Sequence, residues 1–442
     1  MASFIQVYIF ILRISEKTGT LFIMDTQQIT TEPLLFENHS VQTITRLRQA
    51  IVAILSTIPE VSSQRPVDLA TGLNIDTKLA WKIAKLIEGA DPFVAAQYIP
   101  GSAGIQIFLR AATRRNVSKA LLASARAAFN SFNDLVLTHA GSRKAFDMML
   151  AGHSRANSVR ADLDHRRQMF EGASYIWGVQ ARVASRLDIV APSPDRTMFD
   201  QIAIRGFVDL RRLRPRVPWR ISRSFSSDQD GVANESFSRE PLEPNGGNGN
   251  GLEEPPLLTE FCSHPLPVCR RIEGPRGVIE FELVEGAVGN TGVLTCVTGE
   301  ILRQVEPLFH TAEYFEFSQR FRIRTPSEVS YFDVLLHRDL FGADARPTLC
   351  IFSDLFAEQM GALYRDCDLL PVREELEYLG TGTEILSNQD FAHTPDIARF
   401  AMKRVGWNPA EFNAFRLRME YPPIPTSMVI SHDLPEPPES AS

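Results

Sequence analysis

The sequence predicts a multidomain chain with an all-α head, a helical middle and an α+β body reached through a polar linker. Three observations carry that reading. Apolar residues recur at helical spacing from Val41 to about Arg186. Between Ser224 and Pro256 the composition swings to Ser, Gly, Asn, Glu and Pro without apolar periodicity, as expected of a flexible, disordered linker. Beyond Leu257 the spacing shortens to the two-residue alternation of half-buried strands. The divisions predicted are an N-terminal extension (1–40), a head (41–117), a mostly helical middle (118–223), the linker (224–256), the body (257–432) and a disordered acidic tail (433–442).

A chain of 442 residues is too long for one ordinary core and implies roughly two or three domains. The formal net charge of −7 argues against a protein that coats nucleic acid indiscriminately. The charge is unevenly spread, however. Gln42 to Arg126 holds eleven basic residues against five acidic ones, so this stretch is +6 and the remainder −13. Five cysteines over such a length form no disulfide framework, which points to a reducing, cytoplasmic setting. The apolar run Phe4 to Leu12 is too short to span a bilayer and lacks the basic start of a signal peptide, so no membrane partner is expected. The polar sequence that opens at Met24 suggests a translation start there, with an ordered leading strand as the alternative.

In the head, Ile44, Leu47, Ile51, Ile54 and Leu55 define a first helix over Val41 to Pro59. The stretch Arg65 to Glu88, RPVDLATGLNIDTKLAWKIAKLIE, reads as two more helices joined by a tight turn. Pro66 suits a first helical turn, because its φ is already helical and its missing N–H would have had no partner. Gly72 and Asn74 tolerate the left-handed backbone that ends a helix. Asp76 or Thr77 caps the next helix, whose apolar stripe is Leu79, Ile83, Leu86 and Ile87. Its other face carries Thr77, Lys78, Trp81, Lys82 and Lys85.

This stretch resembles a helix-turn-helix DNA-binding unit, with Ala70, Asn74, Ile75, Ala80 and Ile83 where the motif wants a small residue, a turn residue and packing residues. The resemblance covers this part of the chain alone. It implies a transcriptional regulator that binds double-stranded DNA, with the second helix in the major groove and lysines on phosphates. Thr77, Lys78 and Lys82 are then the recognition candidates, and Trp81 and Lys85 share their face. A small helical hairpin that contacts protein produces the same pattern.

Behind the motif, Pro100-Gly101-Ser102-Ala103-Gly104 can be drawn as the tip of a β-hairpin, a wing. Phe108, Leu109 and Ala112 favour the competing reading, an amphipathic helix over Ile105 to Arg115 capped by Ser102. Ser118 to Leu150 is strongly helical, and a further helix is expected between Asp162 and Arg186. Such helices behind a DNA-binding head suit a homodimer interface, with core packing as the plainer alternative. From Ile202 to Arg223 the period shifts toward strand, with Arg205, Arg211, Arg212, Arg214, Arg216, Arg220 and Arg223 in one run. That run suits phosphate or another anion, or else a solvated face partnered by acidic residues.

In the body, expected strands are Val278–Val284, Gly292–Val297, Tyr314–Ile323, Val329–Leu336, Thr348–Phe352, Phe415–Tyr421 and Ser427–Ser431. Helices are expected over Thr394 to Val405 and near Phe356 to Tyr364. Tyr314 to Arg324 alternates, placing Arg320, Arg322 and Arg324 on the solvent face. No phosphate-cradling GxxxxGK, HExxH or GxSxG is present. Cys262, His264 and Cys269 lack a second pair of ligands at zinc spacing. His337 and Asp339, with Asp333 nearby, make a surface ion pair more readily than an acid/base pair. No catalytic residue, metal or cofactor is therefore expected, and the effector of the body is open. The rivals to a regulator are an interaction or scaffold protein and, less favoured, an enzyme in the body.

Overall fold

The structure, a computed structural model, describes residues 35–61, 65–153, 155–225, 238–244, 254–274, 278–284, 286–312, 314–342, 346–354 and 368–437. The chain divides into two compact units, residues 1–158 and 159–442. The start at Met24, the tail beyond residue 437 and the helix expected near Phe356 to Tyr364 lie outside the described residues.

The first unit is helical: α1 (Phe36–Leu55), α2 (Pro66–Leu73), α3 (Thr77–Glu88), α4 (Pro92–Ala96), α5 (Ser102–Arg114), α6 (Lys119–His139) and α7 (Arg143–His153). Each helix turns one apolar stripe inward, and the stripes meet in a single core built on Ile44, Leu47 and Ile51 of α1, Ile83 of α3, Phe108 of α5 and Phe132 of α6. Burying such side chains contributes about 1.5–3 kcal/mol each. Arg143 fastens α7 to the α4 region: its guanidinium lies over the Phe132 ring at 5.2 Å and donates to the carbonyls of Ala96 (2.8 Å) and Ile99 (3.3 Å).

After α8 (Arg155–Trp177) the chain becomes sheet. Its strands are β1 (Val179–Pro192), β2 (Phe199–Arg212), β3 (Trp219–Phe225), β4 (Ser238–Pro241), β5 (Cys269–Glu273), β6 (Val278–Leu283) and β7 (Leu294–Arg303). They continue as β8 (Glu316–Ile323), β9 (Ser327–His337), β10 (Thr348–Ser353), β11 (Glu377–Thr381), β12 (Phe412–Glu420) and β13 (Thr426–Asp433), with α9 (Thr394–Val405) between β11 and β12. Seven strands form one mixed sheet in the order β11-β12-β9-β1-β2-β7-β4. The β1–β9 pair is parallel and the other neighbours run antiparallel. One face carries the three-stranded sheet β3-β6-β5 and α9, through a core that includes Ile221, Phe281 and Ala398. The opposite face carries β10-β13-β8, through Phe317, Phe332, Leu417 and Met428.

The fold class read from the sequence is thereby corrected. A helical middle reaching Arg223 and a separate α+β domain do not exist. Among the described residues the helices are mostly N-terminal, and an extensive β domain with a seven-stranded mixed sheet follows them. Helix stops at Trp177 because Gly178, at φ +70°, takes a left-handed turn. A Cβ there would also sit 2.9 Å from Arg214 Nε. β1 is covered on both faces, Val183 and Leu187 entering one core and Ala184 and Val190 the other. A strand buried on both sides loses the alternation that marks a strand in sequence. Within the polar stretch Ser224 to Pro256, Ser238–Pro241 is strand β4, paired with β7 at the edge of the large sheet. The residues of that stretch on either side of 238–244, at 226–237 and 245–253, lie outside the described residues.

Candidate nucleic-acid interface

The turn between α2 and α3 is built by three residues. Asn74 ends α2 in the left-handed region (φ 49°, ψ 59°), and the N–H of Ile75 reaches back to the carbonyl of Ala70 at 3.0 Å. Asp76 Oδ1 accepts the amide of Lys78 at 2.8 Å, so Asp76 and not Thr77 is the cap. α3 buries Ala80, Ile83, Ala84, Leu86 and Ile87. Arg48 of α1 holds its far end, donating to the carbonyl of Ile87 at 3.0 Å.

That anchoring fixes which face of α3 looks outward. Thr77, Lys78, Trp81 and Lys82 are exposed. Trp81 retains 44% of its surface and packs edge-on against Tyr98, with ring centroids 5.3 Å apart. Lys85 differs from the other lysines. Its ammonium bonds to Glu88 at 2.8 Å, and that bond raises its pKa above the ordinary lysine value. Its charge is already answered inside the helix, which leaves Lys78 and Lys82 as the uncommitted cations of this face.

Helix α5, read as either a wing or a helix, starts at Ser102; among the described residues the hairpin is absent. Gly101 caps it without a side-chain hydrogen bond, and the first helical bond runs from Ile105 N–H to the Gly101 carbonyl at 3.0 Å. The amides of Ser102, Ala103 and Gly104 therefore have no acceptor within the helix and carry the positive end of its dipole. Gly104 permits a close approach to α3: a Cβ there would lie 3.2 Å from Leu79 Cδ1 and 3.0 Å from Pro100 Cβ. Lys78, Leu79 and Lys82 thus face Pro100 to Gly104 across an open groove of about 440 Å³. Lys78 and Lys82 line this groove together with the first turn of α5. The sequence located the lysines and favoured a helix over a wing here, with Ser102 as its cap; the helix is present, and it starts at Ser102 with Gly101 in the cap position.

The other candidates separate. Arg212 is buried and structural, donating to the carbonyls of Val217 (2.9 Å), Leu283 (3.1 Å) and Val284 (2.7 Å). Arg205 faces Arg186 across the β1–β2 pair, and burial, then Arg186, pulls its pKa down to about 10. Arg214 bonds to the carbonyl of Ile176. Arg220 and Arg223 both pair with Glu280. The arginine run is therefore no single patch. Asp333 is held by Arg416, while His337 lies between Asp339 (3.9 Å) and Glu411 (3.5 Å). Cys262 Sγ bonds to the backbone of Val297, and among the described residues no group of three His, Cys, Asp or Glu side chains is placed to hold a metal. No helix among the described residues is long and apolar enough to cross a membrane. Comparison with protein-family models, curated proteins and solved structures finds no match for this chain.

Proposed function

We propose that the first unit binds double-stranded DNA in a sequence-specific manner through α3, as part of a transcriptional regulator. The observation that carries this reading is the outward face of α3, where Thr77, Lys78 and Lys82 stand exposed beside the open N-terminus of α5. A recognition helix needs short polar side chains for base edges near its start and cations for the flanking phosphates. Thr77 meets the first need, and Lys78 and Lys82 with the α5 amides meet the second. The second unit then supplies regulation, by sensing a ligand or binding another protein, and a second copy of the chain would match a two-fold symmetric site.

One observation favours a second reading. Trp81, exposed at 44% and braced by Tyr98, offers an apolar surface at the middle of the same face, which suits a protein partner. Selection from a pool of random duplexes separates the two. The DNA reading expects enrichment of particular sequences by the intact chain and its loss in Lys78→Ala/Lys82→Ala; a chain that retains no duplex at low salt leaves the protein-partner reading.

A further inference from the structure

Three of the described cysteines share one core of the second unit: Cys262, just after the short turn Thr259–Phe261, Cys296 of β7 and, at the margin, Cys269 of β5. All three are free thiols. The segment Leu257 to Ser263 runs beside β7 and is clasped to it on both sides of Cys296. Leu258 N–H donates to the Val297 carbonyl and Ser263 N–H to the Thr295 carbonyl, each at 2.9 Å. Thr295 N–H returns to Ser263 Oγ at 2.7 Å. Between these bonds the Cys262 side chain turns toward the 296–297 peptide. Val297 N–H donates to Cys262 Sγ at 3.3 Å, and the Val297 carbonyl lies 3.4 Å from the same sulfur.

A buried thiol with apolar neighbours alone packs as a small hydrophobe and stays inert. Cys262 differs, because two donors converge on its sulfur. The Cys296 thiol donates to it and draws its pKa below the ordinary thiol value; the Val297 amide adds to that effect, while burial and the charge of Glu243 oppose it. The same contact, with burial, holds Cys296 well above the ordinary range, and burial pushes Cys269 up to about 11. One sulfur is thereby set up as the nucleophile, and the thiol bonded to it stays protonated beside it. A nucleophilic thiol with a second thiol in contact is the arrangement in which oxidation of the first is completed by the second. Cys262 is 7% exposed and Cys296 1%, so burial selects a small oxidant over a bulky disulfide.

We infer that Cys262 is an oxidation site for hydrogen peroxide and that Cys296 resolves it to an intramolecular disulfide. The Cys262 thiolate, its proton given to solvent, attacks one peroxide oxygen. The O–O bond breaks, Cys262 becomes a sulfenic acid, and the departing hydroxide takes up a proton to leave as water. The Cys296 sulfur then attacks the Cys262 sulfur: the S–S bond forms, the S–O bond breaks, and the hydroxyl leaves as water with the Cys296 proton. Two thiols are oxidised and one peroxide is reduced to two waters. The bond fastens the segment Leu257 to Ser263 covalently to β7. This site stands apart from the DNA-binding reading of the first unit.

The test treats the full chain with hydrogen peroxide in small molar excess, stops the reaction with catalase, alkylates the remaining thiols in denaturant and maps the peptides by mass spectrometry. The wild-type chain is expected to lose two of its five thiols to a Cys262–Cys296 disulfide, a loss that dithiothreitol reverses. Cys262 should react about tenfold or more faster than Cys350, although Cys350 is the less buried of the two. Cys296→Ser is expected to stop at the sulfenic acid of Cys262, captured by dimedone; a misfolded chain would instead spread that label over every cysteine. Cys262→Ser is expected to leave Cys296 reduced at the same dose, and Cys269→Ser to oxidise as the wild-type chain does. The site is overturned if Cys262 stays reduced while Cys350 is consumed, or if its disulfide partner is Cys269 or any cysteine other than Cys296. Dimedone labelling of Cys296→Ser without preference for Cys262 overturns it equally.

Discussion

Arg416 of β12 clasps Asp333 of β9 through two parallel hydrogen bonds, 2.7 and 2.9 Å long, with both side chains buried. The same guanidinium donates to the carbonyl of Leu386 at 2.7 Å. Burial pushes the Asp333 carboxyl above the usual carboxylate range, and the bonds from Arg416 oppose that push. Removing one partner strands the other charge inside the sheet. Asp333→Ala is therefore expected to destabilise the chain by about 3–5 kcal/mol. The paired replacement Asp333→Leu/Arg416→Met should cost far less, and urea unfolding of the three chains measures the difference.

Arg212 is the next internal brace. Its guanidinium bonds to three carbonyls, of Val217, Leu283 and Val284, and so ties β2 to β6 and to the loop before β3. Arg212→Met keeps much of the volume but leaves those carbonyls unmet. Each buried unmet group costs about 1–3 kcal/mol, so the variant should unfold at clearly lower urea while its helical signal at low denaturant stays unchanged.

In the first unit, His39 of α1 and His139 of α6 share a contact of 3.0 Å. Burial, and then the neighbouring His139, hold the pKa of His39 below the ordinary histidine value. A base with a depressed folded-state pKa resists protonation when folded. Its contribution is thus complete above about pH 6.5 and is lost as the pH falls through the lower, folded-state pKa. His39→Gln should flatten the acid side of the thermal-stability profile between pH 8 and 5 relative to the wild-type chain. Parallel profiles would remove the pair from any role in acid sensitivity.

The α2–α3 turn makes two opposite expectations. Asp76→Ala deletes the cap on the Lys78 amide and should cost about 0.5–2 kcal/mol. Asn74→Gly should be tolerated, because glycine adopts φ 49° without strain, whereas Asn74→Val should destabilise. Thermal melting of the three variants, followed by circular dichroism, gives the order.

Local signals were legible and distant ones were not. Thr394–Val405 and the α2–α3 pair are punctuated by nearby Pro, Asn, Asp or Gly residues, and they fold where that punctuation places them. β8, β9, β10, β12 and β13 lie close to the expected strands, because one-face alternation or a short apolar run survives in each. β1 left no such mark, since its register partner β9 lies far along the chain and covers it on one edge while cores cover both faces. β4, with the sequence SREP, has no strand pattern of its own and is held by pairing with β7. In the interface, helical phase placed Thr77, Lys78, Trp81 and Lys82 outward. The pairing of Lys85 with Glu88 was open to the three-residue spacing rule, and the approach of α5 to α3 depended on packing that no local pattern carries.

The most direct measurement is duplex-DNA affinity across a salt series for the wild-type chain and for Lys78→Ala/Lys82→Ala. If α3 contacts DNA as proposed, the wild-type affinity falls steeply with salt. The variant then binds more weakly, with a slope shallower by about two units, one for each lost phosphate contact. An intact chain that binds no duplex at the lowest salt, or two chains with coincident slopes, would contradict the account.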